Sequence, residues 1–486
     1  MAINFNRNPI YWFTAGSIIG QLVSFIMLPI YTSYLTPADY GILTLLIVVM
    51  SVYELFLGAQ FGRSLPKFYF EQDSQDKKDA VVYTCLGITV CVSTLGAIAF
   101  YLSAPFISTH AFEDPSLTGI VSIYALMMLT TTIESYVMVL CRLKDNPAFF
   151  FCMSVGKLLV QLSLNIYTVT ILEMGLVGVL YSSILSSALF AGISLLYTVR
   201  SCRFNFDSDL IRPLFIFTWP LWLAGAGNIY VSMASNFLIK EFGGLAEVGL
   251  FFLALKFAMI MSLMIWRPFS QWWQTERFKI INDSEQHYKL PLIFSLITYI
   301  LLTSAVGLSL LSGIVMKVMV NSAFYASFPL VFLVAFRNLF FHQSQIFNLP
   351  LLHVGKTKTV AWLSWARALL MTILIIPLTY FFGMTGAAYA FLVTALVILL
   401  LTARIAKPCF DMQIKFTKTA VLVTASFIYV YLALKFIDIS DSLAQVSIAC
   451  GLSLSLFLGA IGVIFYLDKP TRQFLVELVF KKKADA

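Results

Sequence analysis

The chain has 486 residues, of which 60% are hydrophobic and 12% charged, with a formal net charge of +8 and a mean hydropathy of +0.88. A soluble domain carries roughly 25% charged residues, so a water-soluble class is excluded. The basic excess lies mostly in loops flanking apolar runs, where it sets membrane topology and calls for no nucleic-acid partner.

In chain order, apolar runs fall near 11–35, 41–63, 80–104, 117–141, 149–172, 175–199, 213–239, 247–273, 291–316, 327–350, 360–382, 384–404, 418–437 and 444–467. Each is long enough to cross a hydrocarbon layer of roughly 30 Å. Backbone groups in lipid need internal partners and strand-like alternation is absent, so the runs are expected to be helices. Arg7 alone precedes the first run, which is too long for a signal-peptide core and is expected to be the first span. Cys85, Cys91, Cys141, Cys152, Cys202, Cys409 and Cys450 show no framework spacing and read as small core residues.

Twenty-four lysines and arginines fall in the tails and even-numbered connections, against only Lys240, Lys317 and Lys435 on the opposite side. This bias places both termini in the cytoplasm.

The chain also repeats itself. Gly175-x-x-Gly178-x-x-Tyr181 recurs as Gly383-x-x-Gly386-x-x-Tyr389, and Ala38-Asp39-Tyr40-Gly41 as Ala246-Glu247-Val248-Gly249, both at an offset of 208. Six helices per copy is an even number, so the copies are expected to be parallel repeats about an axis along the membrane normal. The expected architecture is an all-α polytopic membrane protein of about fourteen transmembrane helices. Two six-helix lobes, 1–206 and 207–410, are followed by two extra helices over 411–468 and a basic tail over 469–486. Within the tail, 471–480 is either a short interfacial helix or a frayed end.

Three stretches carry a family resemblance: Gly20–Leu45 (GQLVSFIMLPIYTSYLTPADYGILTL), Leu57–Glu71 (LGAQFGRSLPKFYFE) and Tyr325–Trp365. The first resembles the opening helix pair of polysaccharide flippases of the Wzx type. The second is similar to the end of their second helix and the basic loop after it. The third is similar to their tenth span and the short loop that follows. Their superfamily, MOP, also holds the MATE multidrug antiporters and the lipid II flippase. The resemblance implies two lobes around a central cavity, and a polyprenyl-pyrophosphate-linked oligosaccharide turned from the cytoplasmic to the outer leaflet of the inner membrane. It also implies lipid-linked glycan and membrane lipids as partners, with a polysaccharide polymerase as a further one.

Ionisable residues inside spans are costly and usually face a wet cavity or a partner. The basic ones are Lys157, Lys256, Arg267, Arg337 and Arg367, with Arg63 at the end of the second span; the acidic ones are Glu54 and Glu134. Six basic against two acidic groups suit a cationic cavity for a pyrophosphate, which guanidinium binds bidentately. Snorkelling to the interface is the competing role for the basic groups. Glu54 and Glu134 are expected either to pair with basic neighbours or to take up a coupling ion. Gln60, Asn165, Asn228, Asn236, His342, Gln343 and Gln345 either line the cavity or bond helix to helix.

Gly355-Lys356-Thr357 is no phosphate-cradling loop, because Pro350 stands where the earlier glycine belongs. No metal spacing and no cofactor motif is present, so no catalytic residue is assigned. Two other functions stay open: a MATE-like exporter of small cationic compounds, and a membrane glycosyltransferase or glycan ligase, which the short outward loops disfavour.

Overall fold

The computed structural model describes residues 27–57, 61–414 and 416–475. Every regular element among them is helical: α1 Leu28–Tyr34, α2 Pro37–Leu57, α3 Phe61–Phe70, α4 Gln75–His110, α5 Thr118–Tyr124, α6 Leu126–Leu143, α7 Pro147–Asn165, α8 Gly175–Ser201, α9 Ile211–Met261, α10 Arg267–Asn282, α11 Lys289–Met319, α12 Phe328–Ile346, α13 Asn348–His353, α14 Thr357–Ala406, α15 Phe416–Lys435 and α16 Leu443–Leu467. Eleven helical stretches among the described residues are long and apolar enough to cross a membrane. The first expected span lies largely outside those residues, so the total of fourteen is an expectation rather than an observed count.

Two of the eleven stretches each hold two rods. At 1.5 Å per residue, a 51-residue α9 and a 50-residue α14 would each far exceed the thickness of a bilayer. Each is broken at a glycine of positive φ, Gly244 (φ 81°) in α9 and Gly383 (φ 55°) in α14. Both breaks fall where the sequence places turns between spans. Gly175 (φ 53°), 208 positions before Gly383, also has a positive φ, which costs a glycine little and other L-residues more.

The helix ends follow from local chemistry. Thr36 and Asp39 cap α2 reciprocally, with Thr36 N donating to Asp39 Oδ2 at 2.9 Å and Asp39 N to Thr36 Oγ1 at 3.2 Å. Glu247, 208 positions after Asp39 in the sequence, does something different. Its Oε2 accepts from Met384 N at 2.7 Å and so caps the arm of α14 that follows Gly383. Ser442 and Gln445 form a capping box at the start of α16.

Packing divides the chain into unit 1, Met1–Phe237, and unit 2, Leu238–Ala486. The packing boundary at 237/238 lies inside α9, whereas the expected lobe boundary at 206/207 precedes it. Leu214 is buried with Leu65, Phe68, Tyr136 and Val137, which ties the start of α9 into unit 1. In unit 2, α15 and α16 pack on α11.

The stretch after the second span, expected to be a basic loop, is instead helical through Phe70 as α3. Leu65, Phe68 and Tyr69 are buried along one face of it, the spacing that turns a basic stretch into an amphipathic helix. Residues 469–475 are helical, with Thr471 and Phe474 buried; the rest of the expected tail helix lies outside the described residues.

Candidate functional site

In unit 2, one face of α12 gathers the polar groups. Arg337 is followed by Asn338 and, one turn on, by Phe341 and His342. The Arg337 guanidinium donates to Asn338 Oδ1 at 2.7 Å and lies 5.3 Å from the centroids of Phe341 and Phe391. Phe391 belongs to the second arm of α14, and Arg367 to the first. The Arg367 guanidinium approaches the same Phe341 ring, also at 5.3 Å. Arg337 makes no ion pair with a carboxylate among the described residues. Cation–π contact contributes roughly 0.5–2 kcal/mol to a guanidinium, so it holds the group in place but leaves its charge uncompensated.

The neighbours fix this face. Asn338 Nδ2 donates to Ala258 O on α9 at 3.0 Å. His342 Nε2 and Ser262 Oγ are hydrogen-bonded at 2.9 Å, and the His342 ring stacks on Trp266 at 4.5 Å. Ser262–Trp266 is a π-helical turn, a wider coil that recurs at functional sites. Trp266 thus has a stacking partner on α12. Lys256 is half-buried on the same arm of α9, two positions before Ala258, and Arg267 is exposed just after the π turn.

Unit 1 holds the acids. Lys157 Nζ donates to Glu134 Oε2 at 2.6 Å. Thr131 Oγ1 donates to Glu54 Oε1 at 3.3 Å. Further bonds join the same helices: Gln161 Nε2 to Ser183 Oγ at 3.2 Å, Ser187 Oγ to Thr130 Oγ1 at 2.8 Å, and Asn165 Nδ2 to Tyr31 Oη at 3.0 Å. A polar seam therefore runs through α1, α2, α6, α7 and α8, with Glu54 as its one carboxylate without a cation partner among the described residues.

The sequence-predicted residues thus separate into two groups. Arg337 and Arg367 converge on one ring, with Lys256 on α9 and Arg267 at the start of α10. Lys157 and Glu134 are partners, and Glu54 bonds a threonine. The Arg63 side chain, Gln60 and the Asn228 side chain lie outside the described residues. Gln343 Nε2 donates to Thr298 Oγ1 at 3.1 Å and so bonds α12 to α11. Sequence reading missed Asn338, Phe341 and Phe391, because neither a lone asparagine nor a phenylalanine stands out in an apolar span. The only sequence signal for the first two is position, at i+1 and i+4 from a buried arginine.

A family model described as "Polysaccharide biosynthesis protein" matches residues 21–329. No curated protein matches the sequence. Among solved structures, a lipid II flippase MurJ in an inward closed conformation superposes with a TM-score of 0.67 at 14% identity, covering 94% of this chain and 99% of that one. An inward-facing multidrug resistance MATE family transporter of the MOP superfamily gives 0.61 at 13% identity, over 84% and 99%. The MATE multidrug transporter DinF-BH gives 0.56 at 15% identity, over 85% and 98%. At these identities the structures establish a shared fold.

Proposed function

The chain belongs to the polysaccharide biosynthesis protein family, and from that premise we propose that it is an inner-membrane flippase for a polyprenyl-pyrophosphate-linked oligosaccharide. The cargo moves from the cytoplasmic to the outer leaflet by alternating access. The observation that carries the reading is the approach of Arg337 and Arg367 to one phenyl ring, with Arg337 lacking a carboxylate partner among the described residues. Two guanidiniums drawn together repel, and a dianionic pyrophosphate relieves that repulsion while accepting bidentate hydrogen bonds. A small cationic compound would meet like charge at the same place. Lys256 stands nearby as a further point charge.

The polyprenyl tail stays in lipid, since hydrocarbon gains nothing from a polar cavity. Glu134 is taken up by Lys157, which leaves Glu54 as the group that binds a coupling proton or sodium ion. The lysine and arginine bias puts both termini in the cytoplasm. No covalent bond is made or broken, so the protein is not an enzyme, and a polysaccharide polymerase outside would consume the product.

The test is flipping of a fluorescent polyprenyl-pyrophosphate oligosaccharide by purified protein in liposomes. Arg337→Ala loses at least about tenfold in rate, from the 1.5–3 kcal/mol of a hydrogen bond to a charged group, and Lys256→Ala loses less. A wild-type rate in both variants overturns the cargo assignment. Glu54→Gln flips down a cargo gradient but ignores an imposed ion gradient; an undiminished response to that gradient removes Glu54 from coupling.

A further inference from the structure

At one end of unit 1 the start of α4 and the ends of α6 and α8 enclose an open cleft of about 1020 Å³. Its wall is the segment after α8, which is stapled to α4. Arg203 N donates to Asp79 Oδ2 at 2.9 Å, Asn205 Nδ2 to Asp76 O at 3.1 Å, and Asp207 N to Thr84 Oγ1 at 3.0 Å. Tyr83 Oη donates to Cys202 O at 3.3 Å. Such a wall is preorganised and costs little further ordering on binding.

The charges in the cleft are unequal in availability. Asp79 is only 3% exposed, and both its oxygens are occupied, by Gln75 Nε2 at 2.8 Å and by the Arg203 amide. Lys144 Nζ donates to Ser201 O and keeps two further protons to offer. The side chains of Arg200 and Arg203 are exposed and make no hydrogen bond or ion pair among the described residues. The accessible lining is therefore cationic, with Asp76 its single opposing charge.

The apolar side of the cleft is continuous with an exposed apolar surface. Leu185, Leu189, Leu196 and Val199 lie exposed along α8, and Val199 lines the cleft. Their spacing of three, four and seven places them on one stripe. Phe204, 81% exposed, stands at the mouth with its ring 5.0 Å from Tyr83. A large aromatic so exposed beside basic residues belongs at a membrane–water interface.

We propose that this cleft is a binding site for an anionic phospholipid of the surrounding bilayer. The lipid's phosphodiester sits against Arg200 and Arg203, with Lys144 behind them, and an acyl chain runs along the Leu185–Val199 stripe. Basic pockets between spanning helices hold anionic headgroups in this way. A soluble anion would use the charges but not the stripe. The site is far along the chain from Arg337 and Arg367 and does not depend on the cargo proposed above.

The test uses the full chain in detergent, supplied with cardiolipin or phosphatidylethanolamine, with bound lipid counted by native mass spectrometry. Wild type retains cardiolipin over phosphatidylethanolamine. Arg200→Gln/Arg203→Gln loses that preference by roughly tenfold or more, the effect of removing two interfacial basic groups, while Arg200→Lys/Arg203→Lys keeps most of it. Elution as one symmetric peak confirms that both variants fold; a glutamine variant that aggregates is replaced by Phe204→Ala/Val199→Ser, which weakens cardiolipin retention by shortening the apolar wall. Equal cardiolipin retention in wild type and a folded variant overturns the site. Displacement of cardiolipin by millimolar inorganic phosphate overturns the lipid and leaves a phosphate site. Arg337→Ala retains cardiolipin whatever its effect on flipping, so loss of the cargo reading and loss of this site are separately visible.

Discussion

Lys157 Nζ donates to Glu134 Oε2 at 2.6 Å, with side chains only 21% and 13% exposed. The pair joins α7 to α6 inside an apolar unit. Removing one member strands the other charge, whereas removing both leaves no charge to strand. Glu134→Ala or Lys157→Ala is expected to cost about 3 kcal/mol, and Glu134→Leu/Lys157→Met distinctly less. Thermal unfolding of the detergent-solubilised variants measures this. A double variant as unstable as the sum of the singles shows that the two charges do not act as a pair.

Asn338 offers a test of charge at the arginine cluster. Asn338→Asp sets a carboxylate beside the Arg337 guanidinium, where the amide oxygen now accepts at 2.7 Å. Both Asn338→Asp and Asn338→Ala lose the bond to Ala258 O, so comparing them separates the effect of a carboxylate bound to Arg337 from the loss of that bond. Flipping is expected to fall in the aspartate variant by about tenfold more than in the alanine variant, the difference made by one charge-assisted hydrogen bond. Equal rates in liposomes argue that the Arg337 charge meets no cargo.

Gly386 is a position where a methyl group has no room. A Cβ there would collide with Leu378 O across the bend of α14. Backbone on both sides must move, and overpacking of this kind costs typically 1–3 kcal/mol. Gly192 on α8 has nothing within 4 Å of the same position, and alanine there is expected to be neutral or stabilising by up to about 1 kcal/mol. Melting temperatures of the two alanine variants should move in opposite directions or differ widely; a matching small shift means that the α14 bend opens at no cost.

Asp468, just past α16, collects Lys418 Nζ at 2.7 Å, Thr471 Oγ1 at 3.1 Å and Tyr299 Oη at 3.1 Å. Burial by itself would raise its carboxyl; the Lys418 hydrogen bond and charge, with the bonds from Thr471 and Tyr299, outweigh this and hold it below the ordinary carboxylate range. A depressed folded-state pKa contributes stability that is present above the unfolded value of about 3.9 and fades as pH falls through the folded one. The stability gap between wild type and Asp468→Asn should therefore be constant above about pH 5 and shrink below about pH 4. A gap that widens on acidification contradicts the sign of the shift. Lys418 is half exposed, so the gap itself is expected to be small.

Hydropathy, turn residues and the family resemblance were legible in the amino acids alone. Runs of apolar residues mark helices because lipid forces backbone pairing within a segment. The turns at Gly244 and Gly383 fall where the sequence puts them, since a left-handed backbone selects glycine within a few residues. Which of the in-span charges meet was not legible. Lys157, Arg337 and Arg367 look alike as lone cations in apolar runs, yet one finds Glu134 and the other two converge on Phe341. That difference depends on how each helix is rotated and how closely its neighbours approach, and side chains far apart in the chain, such as Asn338 against Ala258, set it together with close backbone approaches such as Gly386 against Leu378. Packing between segments has no local signature, so only the tertiary structure decided it.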